Sequence, residues 1–492
     1  MLERSFDEKS VTVCGEASAA EEGITRESFG GLHHEKIVPI ERSFTFLTRL
    51  VLRKLDLHLF LPLLVLFIFD ILDRTNTAIS KLGGLTVDLN LTGVQYQTAV
   101  AVFFVAYLGL QIPSNIALSR SRPALYLPAA VVIWGGITLC FAALKDYLGI
   151  IGARIVLGVA ESVFFPRSLL MITSWYKPRE AVPRVATLYC GNLIGNGLGG
   201  LLAADVLDGL ENTGGLVGWR WLYIIEGTGT IVAGLLAFCL LPDFPRSQQP
   251  SWLTLQEHRS AQWRMLSPAS VEGDENETIA HALKATVTAV KVWALVAVQN
   301  MVLTTQTWMP FFPSIMKTLG FENKVTLLLT APVYFFGVIG VLSNCFIAAR
   351  TGHRAVLIVW PLAVAIGGNV MLISSTAMPV QDIGMFLMCV GSYSAFTVVQ
   401  AWVASTIPSS KTKRAVAIAM VKMLGGLSNV YGSYFWPDSD APRYLPGSLT
   451  LLSFAAGGIL CTMGLGMHLS LLNRKAAKIE EESGCPQYRY TI

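Results

Sequence analysis

Charge is scarce in this chain. Only 14% of its 492 residues are charged and 53% are hydrophobic, whereas a soluble domain carries about a quarter charged residues. That balance excludes an ordinary water-soluble fold, and a mean hydropathy of +0.53 points to a chain that crosses a bilayer repeatedly. Clustered cysteines are also missing. The eight, at 14, 140, 190, 239, 345, 389, 461 and 485, form no CxxC pair and no Cys/His spacing, so they read as packing residues and no metal site is expected. No glycine-rich phosphate loop follows a strand, no nucleophile motif sits in an aqueous segment, and the seven histidines do not gather in the apolar stretches. An enzyme and a bound cofactor are therefore not expected. The net charge of +4 is spread over short loops and makes no basic face, which argues against nucleic acid.

What the chain does have is apolar stretches of about 20 residues, each long enough to span the hydrocarbon core. They fall near 57–75, 95–118, 124–144, 148–172, 184–205, 219–241, 289–309, 326–348, 355–375, 383–406, 415–436 and 448–472. This predicts an all-α polytopic membrane protein with twelve transmembrane helices. Residues 1–55 read as a disordered cytosolic tail without a cleaved signal peptide. Residues 56–241 form a first six-helix bundle, 242–288 a polar central loop with an amphipathic surface helix around Trp252 and Trp263, 289–472 a second bundle, and 473–492 a cytosolic tail. The halves echo one another: Ser114-Asn115 leads to Arg120 and Arg122, Ser343-Asn344 to Arg350 and Arg354, and WYKPREAVPRVA has a partner in PSSKTKRAVA. Repeats of this kind belong to transporters built from two parallel halves with a site between them at mid-depth.

With both termini in the cytosol, the short inner loops hold most of the Lys and Arg, which is the orientation that the positive-inside rule prefers. The plasma membrane is the expected location and a monomer the expected state. The sequon at Asn90 then lies outside, either as a glycosylation acceptor or as part of a helix cap, while the sequon at Asn276 lies inside.

A few ionisable residues interrupt the apolar stretches, and each needs a reason, because a charge at mid-membrane costs about 2.5–3.5 kcal/mol or more. Arg154 and Glu161 are seven residues apart and share one helix stripe, which Ser168 continues; Arg167 lies about 120° away and suits a structural or gating role. Asp70, Asp73 and Arg74 end the first apolar segment, with Asp70 and Arg74 an i, i+4 pair. Asp73 with Arg74, and Arg154 with Glu161, offer carboxylates poised beside arginines, an arrangement that suits proton coupling and anion binding. Structural ion pairing is the plain alternative. Asp73 and Glu161 are the candidate proton carriers, with protons as the driving ion. Arg74, Arg154, Lys422 in the eleventh stretch, and Asn192 and Asn196 in the glycine-rich fifth are the candidate contacts to a small organic anion; Lys422 reads equally as a snorkelling residue. Asp70, Arg167 and Glu226 are candidate gating or packing groups.

The segments LDRTN at 72–76, QIPSNIAL at 111–118, ARIVLGVAESVFFP at 153–166, SWYKPRE at 174–180, GWRWLYIIEG at 218–227, LPDFP at 241–245 and SDAPRY at 439–444 closely resemble the fungal allantoate-permease-like branch of the anion:cation symporter family. That family lies within the major facilitator superfamily. The resemblance implies the major facilitator fold, proton-coupled uptake of carboxylate nutrients, coupling at Asp73 and Glu161, and anion binding or gating at Arg74 and Arg154. The chain departs from that branch at Asp70, at Pro166-Arg167, after Trp402, and at Lys422 and Gly426, all near the presumed cavity, so a specialised substrate is expected. A proton-antiporting exporter of a metabolite remains the alternative. A non-transporting sensor is disfavoured by the short tails.

Overall fold

In lipid no water satisfies the backbone, so a chain this apolar spans the membrane as helices that close their own hydrogen bonds. The computed structural model describes residues 47–483 apart from 119–121, 246–248, 266–278, 318–321, 376, 407–410 and 442, and its regular elements are all helical. The expected tail over residues 1–46, the Asn276 sequon and residues 484–492 lie outside the described residues.

The first half contains α1 (Leu47–Leu82), α2 (Gly93–Leu118), α3 (Pro123–Phe141), α4 (Tyr147–Glu161), α5 (Phe164–Trp175), α6 (Pro178–Gly209) and α7 (Gly218–Leu240). A polar connection holds α8 (Leu255–Met265) and α9 (Ile279–Val287). The second half contains α10 (Val290–Thr304), α11 (Phe312–Lys317), α12 (Asn323–Thr351), α13 (Val356–Ser374), α14 (Met378–Thr406), α15 (Lys411–Gly426), α16 (Ser428–Gly432) and α17 (Leu445–Ser483). Among the described residues nine helices are long and apolar enough to cross a bilayer, counting α4 with α5 as one. Three further passes complete twelve: α6 opens on Pro178-Arg179-Glu180 and is rich in glycine, α10 has 15 residues before the chain unwinds, and α15 carries Lys411, Lys413, Arg414 and Lys422.

Two boundaries differ from the sequence reading. The first helix starts at Leu47, inside the stretch expected to be a tail, because Val51, Leu55 and Leu59 form a fully buried stripe at four-residue spacing. The twelfth runs to Ser483 and not to 472, since Lys475-Ala476-Ala477-Lys478 and Glu480-Glu481 are strong helix formers beyond the hydrocarbon.

Each half is a bundle of six passes. In the first, α3 packs on α7, α1 on α6 and α7, and α2 on α4; in the second, α13 packs on α14 and α17, and α10 on α15 and α17. The halves meet where α6 lies along α12 and where α2 meets α15 and α16. These are the fifth pass against the eighth and the second against the eleventh, which is one contact repeated by a two-fold relation between the halves.

One face of the molecule carries the start of α1 and the end of α17, and is called here the termini face. On it, α8 is clamped beneath the first half by Lys54 to Glu257 at 2.8 Å and Arg264 to Glu180 at 2.5 Å, while Trp252 stacks on His58 at 4.6 Å. The second copy of the Ser-Asn and Arg motif also has a job there. Asn344 donates to the carbonyl oxygens of Leu357 and Ser394 at 3.1 and 3.0 Å and accepts from Trp360 at 3.1 Å, and Arg354 bonds to Ala401 and Ser405. The motif therefore ties α12, α13 and α14 together.

At the opposite face, Asn90 is an exposed residue in the left-handed conformation, with φ of 50°. The cap of α2 belongs instead to Thr92, whose hydroxyl accepts from Gln95 N at 3.3 Å while Gln95 Oε1 accepts from Thr92 N at 2.9 Å.

Candidate functional site

The halves enclose a cavity of about 220 Å³ at mid-depth. Its walls come from α1, α2, α4, α5, α6, α10, α12, α14, α15 and α16. Arg74, Arg154, Lys422, Asn192 and Asn196 all line it. The other candidates do not.

Arg74 is the electrostatic centre of one wall. Its Nη2 meets Asp70 Oδ2 at 2.9 Å and Glu161 Oε2 at 3.1 Å, and Nε adds a second bond to Glu161 at 3.2 Å. One guanidinium thus holds two carboxylates, one from its own helix and one from the fourth pass. The guanidinium lies over Tyr107 at 4.8 Å and Phe103 at 5.2 Å, rings whose faces attract it. Arg154 sits beside it, donating from Nε to Ala99 O at 3.1 Å and from Nη1 to Arg74 O at 3.2 Å, with its carbon Cζ 4.7 Å from the Phe103 centroid. Arg154 shares a stripe with Glu161, yet the ion pair of Glu161 is with Arg74.

Glu161 is presented by a break in the fourth pass. α4 ends at Glu161 and α5 restarts at Phe164. Pro166 explains the break, because it has no N–H for the carbonyl of Ser162 and its ring crowds that carbonyl. Ser162 folds its hydroxyl back onto Val159 O at 2.8 Å.

The pairing of Asp73 with Arg74 expected from sequence is not what the structure shows. Asp73 is fully buried on the far side of α1, where its Oδ2 accepts from Thr230 of α7 at 2.8 Å. Adjacent residues of a helix point about 100° apart, while Asp70 and Arg74 are nearly aligned. Asp70, expected to gate or pack, is therefore the carboxylate of α1 that engages the arginine. Glu226 is buried near Asn76 and Asp73, behind α1 and away from the cavity. Arg167 is also buried outside the cavity, with its guanidinium 5.8 Å from the Phe244 ring.

In α6, Asn196 donates to Asn192 O at 2.6 Å and to Asn192 Oδ1 at 3.0 Å. The glycines around them let neighbours approach. A methyl group at Gly195 would meet Ile71 of α1 at 2.9 Å, and at Gly200 it would meet the Thr330 hydroxyl of α12 at 2.6 Å.

Lys422 of α15 reaches across the cavity to the first half, with Nζ 4.2 Å from the Phe165 ring and 5.8 Å from that of Tyr189. Gln111, Gln299, Gln306, Gln400 and Asn429, none of them expected from the sequence, also line the cavity. Amides in otherwise apolar stretches are the signal that marks them. No Asp or Glu lines the cavity among the described residues.

Toward the face opposite the termini, ion pairs and hydrogen bonds join the halves. Lys81 meets Asp438 at 2.6 Å, Lys324 meets Asp205 at 3.3 Å, Asn323 donates to Leu82 O at 3.1 Å, and Tyr434 donates to the Thr98 hydroxyl at 3.2 Å. On the termini side of the cavity, the contacts between halves include those of Lys422 and the edge-to-face pair of Tyr189 with Phe396 at 5.4 Å.

The sequence pattern of the Major Facilitator Superfamily matches residues 63–433. MFS-type transporter cnsO of Penicillium expansum is 31% identical over 427 residues, covering 84% of this chain and 81% of that protein. MFS-type transporter efuF of Hormonema carpetanum is 28% identical over 436 residues, covering 87% and 86%. Among solved structures, the proton:xylose symporter XylE is similar in fold, with a TM-score of 0.62 at 16% identity over 83% of this chain and 95% of that one. Twelve helical passes in two equivalent halves around a mid-depth cavity, matched by family and by relatives over most of the length, identify this chain as a membrane transporter, not an enzyme, and a member of the Major Facilitator Superfamily.

Proposed function

We propose that this protein is a proton-coupled symporter of a small organic anion, of the allantoate-permease-like branch of the anion:cation symporter family. The observation that carries the reading is the cavity wall. It presents the cationic side chains of Lys422, Arg154 and Arg74, the last held from behind by Asp70 and Glu161, together with seven amides, and no carboxylate lines it among the described residues. Such a wall favours an anionic solute with further hydrogen-bonding groups and disfavours a cation.

The coupling element is Arg74 with Glu161 and Asp70. Two carboxylates on one guanidinium leave an excess negative charge in a buried site, and a proton taken up by either removes it. Protonation loosens the hold of Glu161 on Arg74, links the state of the fourth pass to that of the first, and lets the halves rock around the solute. Asp73, behind α1 with Thr230, is a second proton-holding group on the same helix. Arg74, Arg154, Asn192, Asn196 and Lys422 form the substrate-facing wall. Arg167 and Glu226 serve packing. The protein works as a monomer in the plasma membrane with cytosolic termini, an orientation supported by the Lys and Arg residues of the termini-face loops, and Asn90 is then exposed outside.

The test is transport in proteoliposomes, with pH read on both sides and a panel of carboxylic acids offered outside. The expected result is that one acid enters with protons. Glu161→Gln abolishes accumulation driven by a pH gradient while exchange of substrate across the membrane continues. Accumulation unchanged in Glu161→Gln rejects its coupling role, and acidification of the outside medium on entry of the acid would identify antiport instead.

A further inference from the structure

We propose that Lys422 is the residue that reads the negative charge of the substrate, and that the two arginines of the cavity are not. This rests on the reading of the chain as an anion transporter. Arg74 is held by Asp70 and Glu161 at 2.9 and 3.1 Å, so a further carboxylate would approach a guanidinium already outnumbered by negative groups. Arg154 commits Nε and Nη1 to the carbonyl oxygens of Ala99 and Arg74 and stacks on Phe103, which makes it a tie between helices.

Lys422 is different. It lines the cavity, no hydrogen bond or ion pair is described for it, and its ammonium rests over the rings of Phe165 and Tyr189. Ring faces attract a cation but leave its three N–H donors without an oxygen acceptor, which a carboxylate supplies with full charge. The wall around it offers no Asp or Glu among the described residues, so the anion that completes Lys422 must be brought in. A lysine also suits the task mechanically, as a point charge on a flexible stem that can swing from rings to ligand without any backbone movement.

Lys422 belongs to the second half, and Phe165 and Tyr189 to the first. An anion that draws the ammonium off those rings removes a contact between the halves on the termini side. Occupancy and bundle movement are thereby linked through one side chain.

The experiment uses the purified full-length protein and measures binding by ligand-dependent thermal shift. Benzoate, phenylacetate and hexanoate are each compared with the corresponding primary amide, which keeps shape and removes charge. Wild type is expected to prefer at least one acid over its amide by about tenfold or more, as a charge-assisted hydrogen bond requires. Lys422→Gln should reduce that preference to within about threefold, and Lys422→Arg should keep it. Should Lys422→Gln fail to yield monodisperse protein, Lys422→Met, which keeps the length of the stem, carries the same expectation. A preference retained in the Gln or Met variant overturns the assignment to Lys422 and leaves the anion reading intact. A wild type that does not distinguish any acid from its amide overturns the anion reading, and the assignment with it.

Discussion

Arg154 joins three helices at one wall of the cavity, and the geometry of its guanidinium is what allows it. Nε and Nη1 reach carbonyl oxygens of α2 and α1 while the planar group lies on Phe103. A lysine in its place keeps the charge but has neither the fork nor the flat face. Arg154→Lys is expected to lower transport at least about tenfold, since misplacing a site by about 1 Å costs as much or more, while expression and monodispersity persist. Initial-rate uptake at wild-type level would show that the tie is dispensable. The same scale holds the clearest departure from the sequence reading. Asp70 and Asp73 are both acids near Arg74 in the chain, and only the direction of each side chain separates them. Helical spacing contained that direction for Asp70, at i, i+4 from Arg74. It did not reveal that the wall behind Asp73 offers the Thr230 hydroxyl, because a partner 157 residues away leaves no local mark.

At the scale of elements, the fourth pass is a helix in two pieces, and its first piece lies close to the second pass. A methyl group at Gly158 would stand 2.5 Å from Phe103 O and 3.2 Å from the Ala106 side chain. α4 must therefore touch the backbone of α2 for Glu161, three residues on, to reach Arg74. Gly158→Val is expected to push the helices apart, destabilise the first half by about 1–3 kcal/mol as overpacking does, and abolish proton-coupled uptake. Thermal unfolding in detergent and the proteoliposome assay check the two effects separately. Unaltered uptake would mean that Glu161 does not depend on this approach. Glycine was visible in the sequence of α6 as a sign of close packing, and the structure assigns it two partners: Gly191, Gly195 and Gly199 face α1, whereas Gly197 and Gly200 face α12. Asn192 and Asn196 are left toward the cavity between those contacts.

Across the whole molecule, the polar contacts described between the two halves gather toward the face opposite the termini. Lys81 lies at their centre, paired with Asp438 at 2.6 Å and over the Tyr96 ring at 4.8 Å. An exposed pair contributes about 1 kcal/mol or less to stability, too little to hold a fold but enough to bias a balance between two arrangements by several-fold. Lys81→Ala is therefore expected to leave the melting temperature nearly unchanged and to raise the share of molecules open on that face. Distances between spin labels placed on the far ends of α1 and α15–α16 would report it, and an unshifted distribution would remove Lys81 from the closing contacts.

By itself the sequence determined the class of molecule, because apolar length and the scarcity of charge dictate helices in lipid whatever their neighbours. Twelve passes, two echoing halves, and the short set of ionisable residues that had to face a cavity or one another were all legible, since each is written in local composition or spacing. Only the tertiary structure decided which of those residues meet. That Glu161 lies on Arg74 rather than with Arg154, that Asp73 and Glu226 turn away from the cavity, and that Lys422 rests on rings of the opposite half all depend on how helices far apart in the chain are rotated and spaced. Rotation and spacing come from packing between them, where glycines, a proline break and aromatic rings set distances that no single stretch encodes.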